Sequence, residues 1–344
     1  MDLAVRGAQL TALAAALMLA TALVIRRWMH WQDGIRTRVA ATWRPILTRV
    51  ALDDGPPPSF PPVKRLELVH VLYEWNAIQD AVRGVGNARL NGLAHAAGMD
   101  AAARRMIASG NVSARILAIR TFGHLRDASA WESLKIEIAS PNALASFCAA
   151  AAMIQIDAQR AMPDLMAVLG GHEHWPAEAV ARLLKEAGTE IAREPLRALV
   201  FSIERGKIPS VLPWLGRADP MLAGEVAAEL LRREAEDPRI VAKALLILQD
   251  ATLLPSLRRF AQSPDLGVRK NLAMALGELG SLEDVDLVVT LMGDRVWWVR
   301  YRAGQALLKL RGMTPERLAT IRASLTDRFA RDMLDHVTAE GSAP

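Results

Sequence analysis

The first apolar pattern along the chain is unbroken. Residues 7–25, GAQLTALAAALMLATALVI, carry no charge and lie between Arg6 and Arg26. As a helix rising about 1.5 Å per residue they reach roughly 30 Å, the thickness of a bilayer's hydrocarbon core. The expectation is a single transmembrane helix over residues 1–25. A cleaved signal peptide is the rival reading, with Ala20-Thr21-Ala22 as its cleavage site. Two features favour the anchor: Asp2 offsets Arg6, and the run stops at Arg26-Arg27.

The pattern then becomes a stripe. Trp28, Trp31, Ile35, Val39, Trp43 and Ile46 recur at spacings of 3 or 4, which is one face of a helix. Arginines lie mostly off that stripe. Tryptophans on a basic amphipathic helix suit an anionic headgroup layer. Residues 26–52 are therefore read as a juxtamembrane segment, with Arg26, Arg27, Trp28, Trp31, Arg36, Arg38 and Trp43 at the membrane surface. Packing against the solenoid or a partner helix is the alternative. Pro45 weakens a continuous helix beyond it. Residues 53–62, DDGPPPSFPP, favour an extended conformation and read as a semi-rigid linker between two domains.

From Val63 to Gly312 the pattern is helix after helix, broken by short Gly, Pro, Asp and Asn signals. Residues 263–280 and 293–310 are copies. Val268-Arg269 aligns with Val299-Arg300, Ala275-Leu276 with Ala306-Leu307, and Leu279 with Leu310, all 31 residues apart. Asp265 and Asp294 precede the two helices. In an earlier copy, Arg115, Phe122, Gly123 and Leu125 match Arg269, Leu276, Gly277 and Leu279. Such two-helix units cannot bury their apolar faces alone, so they must stack. Thr314-Pro315 then starts a helix. Its stripe of Leu318, Ile321, Leu325, Phe329 and Met333 reads as one capping helix over residues 313–340.

Composition agrees with an all-α chain: 51% of the 344 residues are hydrophobic and only 5% aromatic. The net charge is +5. The segment 26–49 holds six arginines against Asp33, which equals the whole excess, so the remaining residues together sum to zero. That weakens any reading as a nucleic-acid groove, which needs cations spread along it. More positive charge follows the apolar run than precedes it. The positive-inside rule then puts the N-terminus outside and the repeats in the cytoplasm.

No phosphate loop, nucleophile elbow or paired-cysteine motif is present. The one cysteine, Cys148, sits in an alanine-rich run and reads as a small buried hydrophobe. His172-Glu173-His174 is the only local cluster of metal-capable side chains, and without a third ligand nearby it reads as a solvated loop. No catalytic residue, metal or cofactor is assigned. Consecutive Trp297 and Trp298 cannot both face one core. With Tyr301, Arg302 and Gln305 they form the candidate partner-binding face, since Trp, Tyr and Arg are enriched at interface hot spots.

Asp followed by Val-Arg, then Ala and Leu at helical spacing, resembles the second helix of a bacterial HEAT repeat. The short form found in phycobilisome-lyase-like proteins is the most similar. The resemblance implies a right-handed α-solenoid of helix pairs. It also implies that Arg115, Arg269 and Arg300 pair with loop aspartates or carbonyls as a structural ladder including Asp265 and Asp294. HEAT-like DNA glycosylases share the fold, but the nearly balanced charge outside residues 26–49 and the expected membrane anchor oppose that activity. The expectation is a non-enzymatic scaffold at a bacterial inner membrane, binding a protein partner. A partner in the same membrane, such as an envelope glycosyltransferase, gains from co-tethering. The alternative is a lyase-like enzyme or cofactor chaperone.

Overall fold

In the computed structural model the described residues are 2–53, 55, 58–82, 84–109, 111–170, 175–233 and 236–341, with side chains from residue 17 to residue 340. They contain helices and no strand, apart from one isolated bridge between Ser281 and Arg311. The chain divides into two compact units, residues 1–157 and 158–344.

The first unit contains α1 (Asp2–Leu52), α2 (Leu68–Ala81), α3 (Val85–Ala96), α4 (Met99–Ile107), α5 (Val112–Leu125), α6 (Trp131–Ile138) and the first part of α7 (Ala143–Leu169). Helix α7 is kinked at Asp157, whose φ of −157° and ψ of 99° are not helical. The unit boundary falls at that residue.

Two expectations for the N-terminal region need correction. Helix α1 does not weaken at Pro45 but runs on to Leu52. Its second half is not a surface segment either: Ile35, Val39, Trp43, Leu47 and Val50 are buried in a core shared with Val71, Leu72, Trp75, Leu90 and Leu93 of α2 and α3. Trp43 is 2% exposed and meets Phe60 with ring centroids 5.8 Å apart. The physical reason is the stripe itself. Its apolar face finds protein to cover it, and the buried residues on both sides of Pro45 hold the helix through one missing hydrogen bond. The proline-rich segment consequently joins two packed helices, α1 and α2, and does not separate an anchor from a repeat domain. Phe60 and Val63 pack against the same core.

The outer end of α1 differs. Leu17, Met18, Leu19, Leu23, Val24, Ile25, Trp28, Met29 and Trp31 are all 47–71% exposed. Among the described residues no helix is long and apolar enough to cross a membrane. The side chains of residues 7–16, the first half of the expected span, lie outside those described.

The second unit holds the rest of α7, then α8 (Ala177–Ala187), α9 (Thr189–Ser202), α10 (Ile208–Ala218), α11 (Pro220–Arg233), α12 (Pro238–Ile247), α13 (Leu254–Leu257), α14 (Leu266–Leu279), α15 (Val285–Met292), α16 (Trp297–Lys309), α17 (Pro315–Ser324) and α18 (Arg328–Gly341). Helices α8, α10, α12, α14, α16 and α18 start at residues 177, 208, 238, 266, 297 and 328, and each packs on the next. The 31-residue spacing seen in sequence is thus a spacing between stacked helices. Asx side chains start several of them. Asp219, Asp265 and Asp327 accept the backbone N–H of Leu222, Val268 and Ala330 at 3.0, 2.9 and 2.9 Å.

The expected single capping helix is instead two. The chain breaks between Ser324 and Arg328, where Leu325 is buried and Asp327 caps α18. Helices α17 and α18 therefore form one more pair at the repeat spacing. Phe329 is 60% exposed, while Leu325 and Met333 are buried, so the stripe was not one face.

Candidate functional site

The candidate face is built on α16 and α18, and the repeat arginines hold those helices in place. Arg269 donates through Nε and Nη2 to the two carboxylate oxygens of Asp294, at 2.6 and 3.0 Å. Its Nη1 donates to the carbonyls of Ser263 and Pro264 at 2.7 and 3.1 Å. One guanidinium thus ties its own entry loop to that of the next repeat. Both side chains are buried. Burial alone would push the Asp294 carboxyl up, but the Arg269 hydrogen bond and the Val296 N–H together hold it below its ordinary value. The same hydrogen bond raises the Arg269 guanidinium further.

Arg300 repeats half of this device. It donates to the carbonyls of Asp294 and Arg295, six and five residues back, as Arg269 does. Its guanidinium also lies over the Phe329 ring, 5.1 Å from the centroid. Arg331 continues the series and donates to the carbonyl of Leu325, again six residues back. Sequence reading missed Arg331, although it lies 31 residues after Arg300. Arg115 instead meets Glu137 at 3.0 Å within the first unit. Asp265 caps α14, whereas Asp294, at its different offset, serves Arg269 and Val296.

On this frame sit the aromatic residues. Trp297 and Tyr301 stack, with centroids 5.0 Å apart and planes 10° from parallel. Trp298 stands edge-on to Trp297 at 4.7 Å. His336 of α18 approaches both Trp297 and Tyr301. The Tyr301 hydroxyl donates to Glu340 at 2.9 Å, which raises its pKa and locks the ring. Arg302 lies over Tyr301 and donates to Gln305 at 2.8 Å. Trp297 and Trp298 remain 42% and 55% exposed despite these contacts. Pre-packed aromatic rings that stay half open are a low-entropy surface for a partner, because they lose little freedom on binding.

The residues expected at a membrane surface separate into two groups. Arg26, Arg27, Trp28, Trp31, Arg36 and Arg38 are exposed along α1, and Trp43 is interior. Arg44 pairs with Glu74 of α2 at 3.0 Å. A cavity of about 360 Å³ beside α1 is lined by Arg49, Asp53, Phe60 and Arg89. Both arginines are spent on Asp53, one on its carboxylate and one on its carbonyl, so they close the proline-rich segment.

Chemistry is sparse elsewhere. Burial pushes the half-buried Cys148 thiol up, the opposite of a reactive thiolate. No cluster of three metal-capable side chains exists among the described residues. His172-Glu173-His174 lies outside them.

Residues 208–308, from the start of α10 to the last turn of α16, match the family described as HEAT repeats. No curated protein matches the chain.

Proposed function

We propose that this chain is a non-enzymatic protein-interaction scaffold of HEAT-type helix pairs, with its partner-binding face on α16 and α18. The observation that carries this reading is the half-open cluster of Trp297, Trp298 and Tyr301 on α16, inside the span that matches the HEAT family, with His336 and Glu340 of α18 packed against it. Stacked helix pairs characteristically offer extended surfaces to partners.

The proposal includes attachment to the bacterial inner membrane through α1, with the repeats in the cytoplasm. Its support is the uncharged run 7–25 and the exposure within it of Leu17, Met18, Leu19, Leu23, Val24 and Ile25. A helix apolar on every side has no stable place in water. Because α1 enters the core without a break, the first unit would be mounted rigidly on its anchor.

Two experiments test this. A photo-crosslinker at Gln305 in intact membranes should capture a specific protein, and Trp298→Ala should abolish the adduct. An adduct indifferent to Trp298→Ala would remove the aromatic face from the proposal. N-terminal sequencing of membrane-fraction protein should return the encoded N-terminus, and a mature chain starting near Leu23 sinks the anchor.

A further inference from the structure

The repeat register extends the aromatic cluster beyond the face described above. Leu266 opens α14 and Trp297 opens α16, 31 residues later. Trp298 and Phe329 are likewise 31 apart, at the starts of α16 and α18. All four side chains are 42–60% exposed. Leu266 and Trp297 thus share one register and Trp298 and Phe329 the next, so three helices, each packed on the next, carry exposed bulky apolar residues in their first turn. Neighbouring helix axes lie about 8–10 Å apart, so the edge formed by these turns runs roughly 20 Å.

Several cations on this edge have no ion-pair partner. Lys270 lies one turn after Leu266, and Arg295, Arg300 and Arg302 surround the tryptophans. Among the described residues none of these four forms an ion pair. Elsewhere in the same unit Arg193, Arg197, Arg217, Arg258 and Arg322 all meet carboxylates. The nearby carboxylates are fixed by other donors and not aimed at these cations: Asp265 and Asp327 cap helices, Asp294 holds Arg269, and Glu340 accepts from Tyr301 and meets His336.

We infer that this edge binds an acidic peptide segment carrying bulky apolar anchors. The apolar side chains seat against Leu266, Trp298 and Phe329. The partner's carboxylates meet Lys270, Arg295 and Arg302. Such a complex is salt-sensitive through its charges and anchor-dependent through its rings. The peptide is favoured over a lipid surface because Trp297, Trp298 and Tyr301 pack into one fixed cluster and do not stand out singly to insert. The inference rests on the scaffold reading and narrows it to one partner class.

The test is selection of a random dodecapeptide phage library on the full-length protein in detergent micelles. Phosphatidylglycerol and phosphatidylcholine vesicles are titrated in parallel. Clones lost with Trp298→Ala should carry an excess of Asp and Glu beside Leu, Phe or Trp. A synthetic copy of such a clone should weaken by roughly tenfold or more with Trp298→Ala or Phe329→Ala. Arg295→Glu should weaken it too, and Met221→Ser, at an exposed position on α11, should not. Thermal melts of each variant confirm folding. Trp298-dependent clones without acidic bias would overturn the acidic class while leaving the scaffold standing. Selection that yields no Trp298-dependent clone overturns the inference, as does Trp298-dependent binding to anionic vesicles alone. If the membrane crosslink is also indifferent to Trp298, the scaffold face falls with it.

Discussion

The two units hold their helices together by different means. In the first, the helix contacts are filled by unique large side chains. Trp43 of α1 meets Phe60, Trp75 of α2 donates its indole N–H to the Leu90 carbonyl at 2.9 Å, and Phe122 is fully interior. Amide side chains bridge helices as well: Gln79 donates to Asn91 at 2.6 Å, and the buried Asn76 donates to the Thr121 hydroxyl at 3.0 Å. In the second, the same small devices recur at a 31-residue spacing. Arginines clip loop carbonyls at residues 269, 300 and 331. Close approach over small residues is common to both units, with Gly277 facing Ala306 and Gly123 facing Ala152. The difference teaches that repetition needs interchangeable contacts. A tryptophan shaped to one site cannot be copied along a stack, whereas an arginine reaching its own loop can.

The comparison breaks most readily at Trp43. Trp43→Ala should cost about 3–5 kcal/mol, read from urea unfolding, because a large side chain leaves a cavity among α1, α2 and α3. A loss under 1 kcal/mol, as expected for a surface residue, would show that α1 is not part of that core. The arginine clip should be as sensitive by another mechanism. Asp294→Ala should cost about 3–5 kcal/mol by leaving Arg269 buried without its partner. The Asp294 carboxyl lies below its ordinary value of 3.8 in the folded state. Its stabilisation is therefore complete above that pH and is lost as the pH falls through the folded value. Unfolding followed below pH 4 should show Asp294→Ala converging on the parent, and parallel curves would contradict the pairing.

Smaller effects sharpen the contrast. A Cβ at Gly277 would stand 2.9 Å from the Ala306 Cα, and one at Gly123 equally close to the Ala152 Cα. Gly277→Val and Gly123→Val should each cost about 1–3 kcal/mol. Equal costs would mean that one rule of close approach serves both units. The smallest effect should be at the free end of α1. Trp28→Ala should change stability by about 0.5 kcal/mol or less while lowering membrane retention in flotation assays.

Legibility in the sequence followed the same division. Helix starts such as Asp265 and Thr314-Pro315 could be read because capping is local chemistry. The Val-Arg copies could be read because each repeat solves the same problem again. The stripe from Trp28 to Ile46 was legible as a helix face but not as to what covers it. Lipid and protein both satisfy an apolar stripe, and its first two residues remain open while the next three are buried. The stripe from Leu318 to Met333 was misleading because the break at Leu325–Asp327 preserves helical spacing by accident. The outer parts of the candidate site, Leu266 and Phe329, carried a signal in their 31-residue offsets from Trp297 and Trp298, yet each alone looks like an ordinary core residue.

What the sequence determined by itself is the helical class, the repeat spacing, the starts of many helices and the position of the basic excess, since these depend on local propensity, capping and charge. The partition of identical-looking apolar residues between interior and surface was decided only in the tertiary structure. Burial depends on which neighbour arrives, and for Trp43 the neighbours are α2 and α3, whereas Trp298 is left at an edge where the stack meets solvent.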